Sequence, residues 1–449
     1  MVEQMKPSGI DWIGDIPQSW SLKRIKYVIE DIKDGTHGTF GRVDSGEPLL
    51  SAKNVFDDGL HISENESEIS YEDYLQITSN GFPRKNDVLL CCVGTVGRCC
   101  VYMFDKPLAF QRSVSFLRPN KKTTSEYLKY LLQSDSTLVQ EQLLINKSAQ
   151  DGLYMGSVKE LIIPYTEDLK EQKSIADFLD KQCGKIDGII SDLEKQIETL
   201  QKYKKSLILE TVTKGLNKDV PMKPSGIDWI GDIPAHWDIK RLKYLLEQSD
   251  ENMKVGPFGS VLSGGDIVNE GKWVYNQRVV LDDNFNETDS FITEEKFQEM
   301  KGFAVKGGDL LITTRGTIGK VAIVPDNPQE GILHPCIIKF RVNKDLILPE
   351  LVKLIFNESD IVKDQFVLMS NATTIEVIYS YSLKEIILPV IPMKEQKAIF
   401  EFLSKQCSTI DSILKDKQEQ LEKIKQHKKS LIYEYVTGKK RVKEVINGN

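Results

Sequence analysis

The sequence predicts an α+β chain: two globular α/β domains joined by two long antiparallel helices that form a coiled coil, arranged as a pseudo-two-fold internal repeat. Three observations predict it. Residues 5–17, MKPSGIDWIGDIP, recur unchanged as residues 222–234. Two apolar heptad runs, over 167–213 and 392–437, close the two halves. Between the repeated segment and the heptad, each half carries the same order of apolar strand-like runs and Gly-Thr turns.

The duplication continues beyond the identical segment. Trp20-Ser21-Leu22-Lys23-Arg24-Ile25-Lys26-Tyr27 parallels Trp237-Asp238-Ile239-Lys240-Arg241-Leu242-Lys243-Tyr244. Asp87-Val88-Leu89-Leu90 leads to Gly94-Thr95-Val96-Gly97-Arg98, and Asp309-Leu310-Leu311-Ile312 leads to Gly316-Thr317-Ile318-Gly319-Lys320. Lys170-Glu171-Gln172-Lys173 parallels Lys394-Glu395-Gln396-Lys397. The order is therefore A-B-A′-B′ with a period of about 220 residues, far too long for a solenoid. The boundaries expected are 1–165 for the first domain, 166–215 for the first helix, 216–391 for the second domain, and 392–449 for the second helix and tail. Residues 35–80 and 256–300 show little resemblance, so one scaffold carries two different faces.

Strands are expected at 87–92, 98–102 and 113–117, and at 309–313, 320–324 and 336–340. Short helices fit 125–134 and 349–357. In the first heptad run the a positions are Leu179, Ile186, Leu193, Leu200 and Leu207, and the d positions Ile175, Gln182, Ile189, Gln196 and Tyr203. In the second, the a positions are Leu403, Ile410, Lys417, Ile424 and Leu431, and the d positions Ile399, Gln406, Ile413, Gln420 and His427. Each helix of roughly 40 residues would reach ~60 Å. Each seam is the other's natural partner, its polar positions fixing register.

Composition bounds the function. Of 449 residues 40% are hydrophobic and 28% charged, ordinary for a soluble globular protein. No apolar run is long enough to span a bilayer, and the N-terminal residues lack an apolar signal region, so a cytoplasmic chain is expected. Seven cysteines then read as reduced thiols. The net charge of −7 argues against a protein that grips DNA alone by neutralising phosphates.

Catalytic patterns are not found. Gly316-Thr317-Ile318-Gly319-Lys320 fails the spacing of a phosphate-cradling loop and reads as a hairpin turn. Gly35-Thr36-His37-Gly38-Thr39-Phe40-Gly41 lacks dinucleotide spacing and reads as a surface loop. Cys91-Cys92 and Cys99-Cys100 have no counterparts in the second half, where Thr313, Thr314, Val321 and Ala322 stand, so no metal site is expected. The histidines form no metal-binding helix motif, and the chain contains no Pro-Pro, hence no adenine-methyltransferase motif of the N-P-P-[YF] type.

Basic and amide side chains in the divergent segments suit base edges in the major groove, Arg pairing with guanine and Asn or Gln with adenine. The candidates are Thr36, His37, Lys53, Asn54, Gln111 and Arg112 in the first half. In the second they are Ser260, Lys272, Asn276, Gln277, Arg278 and Arg315. For each, the competing reading is a solvated surface residue.

The doubled Pro-Ser-Gly-Ile-Asp-Trp-Ile-Gly-Asp-Ile-Pro-x-x-Trp, the Asp34-Gly35-Thr36-His37-Gly38-Thr39 loop, Gly256-Pro257-Phe258-Gly259-Ser260, the paired Gly-Thr-x-Gly turns and the Lys-Glu-Gln-Lys helix entries together resemble the specificity subunit of type I restriction–modification systems. The resemblance spans nearly the whole chain. It implies two target recognition domains, each reading half of an asymmetric bipartite site in double-stranded DNA, with the helices setting the spacer. It also implies docking, on those helices, of two modification subunits, which bind S-adenosylmethionine and methylate adenine, and the joining of restriction subunits that translocate and cut. No cofactor is expected on this chain, and no catalysis. A DNA-recognition subunit of a modification-only or type II-like bipartite methyltransferase is the alternative. With an acidic chain, much of the phosphate grip is expected from the partners.

Overall fold

The computed structural model describes residues 4–145, 152–227, 230–249, 251–258, 261–370 and 377–442. The chain forms two compact units, Met1–Glu194 with Glu419–Asn449, and Lys195–Gln418. No helix among the described residues is long and apolar enough to cross a membrane.

Unit 1 begins with a hairpin of β1 (Met5–Pro7) and β2 (Asp15–Pro17). Its centre is an antiparallel four-stranded sheet of β4 (Ile29–Asp34), β7 (Val88–Cys91), β8 (Cys99–Val101) and β10 (Val114–Pro119), in the order β8-β7-β10-β4. Three of these strands lie where apolar runs predict them. The β7–β8 hairpin turns on Gly94 and Gly97, at φ 81° and 90°, a region that favours glycine. A smaller sheet joins β5 (Glu47–Leu50) antiparallel to β6 (Glu68–Ile69) and parallel to β9 (Ala109–Phe110). Strand β3 (Ser21–Arg24) pairs with β11 (Ile162–Tyr165).

Alternation along the strands divides the core. Val88, Leu90 and Leu117 face α2 (Ser125–Gln133) and the long helix α5 (Leu169–Lys214). Leu89, Cys91 and Phe116 face the smaller sheet through Leu50 and Phe110. The same alternation puts Cys92 and Cys99 in one cluster and Cys91 and Cys100 in the other. Burial pushes the thiol of Cys91 up to about 11 and those of Cys92 and Cys100 up to about 12, leaving them protonated and inert.

Unit 2 repeats the plan. Strands β15 (Met253–Val255), β18 (Leu310–Thr313), β19 (Val321–Ile323) and β21 (Ile337–Phe340) form the four-stranded sheet. Strands β16 (Lys272–Tyr275), β17 (Phe291–Ile292) and β20 (Gly331–Leu333) form the smaller one, again with one parallel pair. A buried ion pair recurs in both. Arg118 grips Asp87 at 2.9 and 2.8 Å, and Arg341 grips Asp309 at 3.0 and 2.7 Å. Buried Gln172 and Gln396 likewise tie each long helix to the loop before it, donating to two carbonyls and accepting from the N–H of Thr124 or Leu348.

The repeat is cyclic. In unit 2, Trp237 packs on the end of α5, where a Cβ on Gly215 would meet its ring at 3.1 Å. In unit 1 the corresponding hairpin packs on the end of α11 (Met393–Val436), the last helix of the chain. Tyr433 Oη donates to the Ile13 carbonyl at 3.0 Å, and a Cβ on Gly438 would meet Pro17 at 2.4 Å.

Both heptad runs form helices, antiparallel where they meet. Lys428 reaches Asp187 at 2.7 Å and Lys425 reaches Glu194 at 3.0 Å in unit 1, while Lys204 reaches Asp411 at 2.8 Å in unit 2. The expected a column is inward: Leu179, Ile186, Leu193, Leu403 and Ile410 are buried, and Leu200, Leu207, Ile424 and Leu431 half-buried. The expected d column is corrected. Ile189, Tyr203 and Ile413 are exposed, as are Gln196, Gln420 and His427. The second inward column is instead a+4: Cys183, Ile190, Ile197 and Lys204 on α5, and Cys407, Leu414, Leu421 and Lys428 on α11. Burial works against the charge of Lys204, but hydrogen bonds to Asp411 and Glu358 outweigh it and hold the ammonium above its ordinary range. Ile175 and Ile399 of the d column are buried, in the same globular cores that take Leu179, Cys183, Leu403 and Cys407.

Candidate nucleic-acid interface

In each unit, three loops gather at one end of the four-stranded sheet. In unit 1, Gly35 and Thr36 follow β4. The Gly35 N–H donates to the Val114 carbonyl at 2.9 Å and the Thr36 N–H to the Phe110 carbonyl at 2.8 Å. A Cβ on Gly35 would sit 2.2 Å from the Gln111 carbonyl oxygen, so only glycine lets the two loops touch. The Arg112 N–H donates to the Thr36 carbonyl at 3.0 Å. Thr36, Gln111 and Arg112 are thus brought together, with His37 exposed beside them, 3.8 Å from Asp34. Burial raises the Asp34 carboxyl, against a hydrogen bond from Ser115 that lowers it.

A third segment joins through Ser113, whose hydroxyl accepts from the Ala52 N–H at 3.0 Å. Lys53 is exposed there, paired with Glu66 at 2.7 Å, and that hydrogen bond holds Glu66 below its usual range. Asn54 does not face outward. It is 2% exposed; its amide donates to the His61 carbonyl (3.0 Å) and Glu66 (2.7 Å), and its oxygen accepts from the Ser51 N–H (3.0 Å). Asn54 builds the loop that presents Lys53.

Unit 2 has the same frame with other side chains. The Gly256 N–H donates to the Ile337 carbonyl at 2.9 Å, and a Cβ there would meet the His334 carbonyl oxygen at 2.1 Å. Asn276 caps the short helix α6 (Gln277–Leu281), accepting from the Val279 N–H at 3.2 Å and donating to Asp289 at 2.7 Å. Gln277 donates to the Arg315 carbonyl at 2.7 Å and the Thr317 carbonyl at 3.2 Å, tying α6 to the Gly-Thr-Ile-Gly turn. Arg315 and Arg278 are exposed. Asn276 and Arg278 line a cleft of about 190 Å³ whose rim carries Asp282, Glu287 and Asp289. Hydrogen bonds from Ser290 and Asn276 hold Asp289 below its usual range, despite a smaller opposing effect of burial. Lys272 is not part of this gathering. It stands at the far end of β16, bound to Glu330 and, at 3.2 Å, to Glu294. Ser260 lies outside the described residues.

The frame identifies residues that the sequence reading missed. Phe258 occupies the place of His37 and is 69% exposed. His334 occupies the place of Gln111. Burial pulls its imidazole below the ordinary range, and its Nδ1 accepts from the Cys336 N–H at 3.1 Å, so at neutral pH Nε2 carries the proton. The aligned glycines, Gly35 and Gly256, are the signal that would have found both.

Comparison with known proteins fits this geometry. The family profile described as "Type I restriction modification DNA specificity domain" matches residues 44–199 and 248–423. The type I restriction enzyme MjaVIII specificity subunit of Methanocaldococcus jannaschii is 26% identical over 442 residues, covering 96% of this chain and 95% of that protein. The EcoBI specificity subunit of Escherichia coli is 23% identical over 272 residues, covering 59% and 55%. A chain from a structural study of assembly and conformational transition in a type I restriction–modification system superposes with a TM-score of 0.62 at 13% identity, covering 94% of this chain and 98% of that one. With two divergent faces on one duplicated frame and the family profile matched in both halves, the chain belongs to the type I restriction–modification DNA specificity subunits.

Proposed function

We propose that each unit reads one half of an asymmetric bipartite DNA site through its gathered loops, and that the helices set the spacer between the halves. The observation that carries this reading is the contrast at the loop end. The glycine-to-carbonyl frame is the same in both units, while the side chains mounted on it differ: Thr36, His37, Gln111 and Arg112 against Phe258, His334, Gln277 and Arg315. Two readers built alike but faced differently select two unlike half-sites.

In this reading the chain chooses sequence and performs no chemistry. Two modification subunits carry S-adenosylmethionine and methylate adenine, and restriction subunits translocate and cut. The net charge of −7 supports a division in which partners supply much of the phosphate grip. The test is Arg112→Ala with Gln111→Ala, made in the chain assembled with its modification subunit. Methylated-adenine mapping is expected to show one half of the motif relaxed, at about 1–3 kcal/mol per lost contact, and the other half unchanged. Loss or persistence of both halves together would contradict it.

A further inference from the structure

At the opposite end of each sheet the two units show the same surface. Strand β4 runs from Ile29, beside Pro119, to Asp34, beside Ser115. The single 3-10 turn Ile25–Tyr27 precedes it, so Tyr27 lies at the end away from the gathered loops, roughly 20 Å along a six-residue strand. Tyr244, in the turn Leu242–Tyr244, holds the same place in unit 2.

What is repeated here is the exposed part. Lys23-Arg24-x-Lys26-Tyr27 recurs as Lys240-Arg241-x-Lys243-Tyr244, and Lys159-Glu160 as Lys384-Glu385. Beneath them the buried residues have drifted: Ile25 has become Leu242 and Val28 has become Leu245, all fully buried. The geometry is copied too. Arg24 and Lys26 meet Glu160 at 2.9 and 2.7 Å, and Arg241 and Lys243 meet Glu385 at 2.9 and 2.8 Å. The tyrosines are 64% and 61% exposed, each with its neighbouring lysine over the ring at 5.4 or 5.2 Å. Folding requires neither an exposed tyrosine nor a surface ion pair worth ~0–1 kcal/mol. An exposed residue held while its core changes is the mark of a binding surface.

We infer that this basic, tyrosine-bearing patch is where the chain docks a partner protein with an acidic surface, one copy per unit, and that this partner is the modification subunit. The inference rests on the reading above. Charge supports it: four cations, Lys23, Arg24, Lys26 and Lys159, outnumber their carboxylates in a chain of net charge −7. Duplication supports it as well, because a surface shown twice fits a partner present twice. Its distance from the divergent loops favours protein over DNA.

The test uses the whole chain with its purified modification subunit, read by native mass spectrometry and titration. Arg24→Glu with Lys26→Glu is expected to cost one bound subunit, or at least tenfold in its affinity; adding Arg241→Glu and Lys243→Glu costs both. Tyr27→Ala and Tyr244→Ala, which leave the ion pairs in place, weaken the same two steps and carry the test if charge reversal unfolds a unit. Unchanged stoichiometry and affinity would overturn the inference. So would intact subunit capture with weaker DNA binding by the isolated chain and a shallower salt slope, which would make the patch a phosphate grip. If the wild-type chain captures no modification subunit, the underlying reading fails along with it.

Discussion

At the residue scale, what the side chains do follows from burial more than from type. Asn54 is a good base reader by chemistry, yet it is consumed by three hydrogen bonds inside its own loop. Sequence cannot show that, because the partners, Ser51, His61 and Glu66, are ordinary loop residues. The Arg118–Asp87 pair illustrates the converse. Removing Asp87 leaves a guanidinium beside a buried cavity, so Asp87→Ala is expected to lower stability by about 3–5 kcal/mol in chemical denaturation, with the larger part recovered by replacing both partners with apolar residues. Glu141 is the opposite case of an unpaired acid. It is 1% exposed, one of its oxygens has no hydrogen-bond partner, and burial pushes its carboxyl up to about 8 from 4.5. In unit 2 the matched buried amides, Gln140 and Gln365, show that Phe366 stands in its place. A raised acid stays protonated in the fold while the unfolded chain ionises, so its penalty grows from about pH 4.5 to about 8. Glu141→Gln is therefore expected to leave stability unchanged at pH 4 and to raise it at pH 8 by roughly 4 kcal/mol. A melting-temperature gain equal at both pH values would contradict this.

At the element scale, the long helices and the central strands are legible because their apolar periods are sustained over many residues. The strands at Val88–Cys91, Val114–Pro119, Leu310–Thr313 and Ile337–Phe340 and both long helices fall where the pattern puts them. The helix seam shows where pattern reading stops. A heptad with apolar residues at both a+3 and a+4 fits two seams, and Ile189, Ile413 and Tyr203 pull the reading to a+3. The tie is broken by Lys204 and Lys428, which sit on the inner a+4 column and reach carboxylates across it. This is testable within unit 1. Leu193→Ala, at a buried seam position, is expected to cost about 2 kcal/mol or more, whereas Ile189→Ala, 47% exposed, changes stability by less than about 0.5 kcal/mol. Equal costs would return Ile189 to the seam. Cyclic closure was not legible: nothing local in MKPSGIDWIGDIP says that its first copy packs on the end of the last helix.

At the scale of the whole molecule, the duplicated frame, the divergent loop ends and the net charge of −7 support the proposed division, in which the chain selects sequence while partners hold and modify DNA. The isolated chain is accordingly expected to bind its own site weakly at physiological salt; nanomolar affinity of the lone chain in a fluorescence titration would contradict the division of labour. If the helices are the ruler, a four-residue insertion in α5 changes the spacer and leaves both half-motifs intact, as adenine-methylation mapping would show. The most direct measurement is that mapping itself, on DNA from cells expressing the unaltered chain with its modification subunit. The account predicts a single asymmetric bipartite motif with one methylated adenine on each strand. A continuous palindrome, or no motif at all, would contradict it.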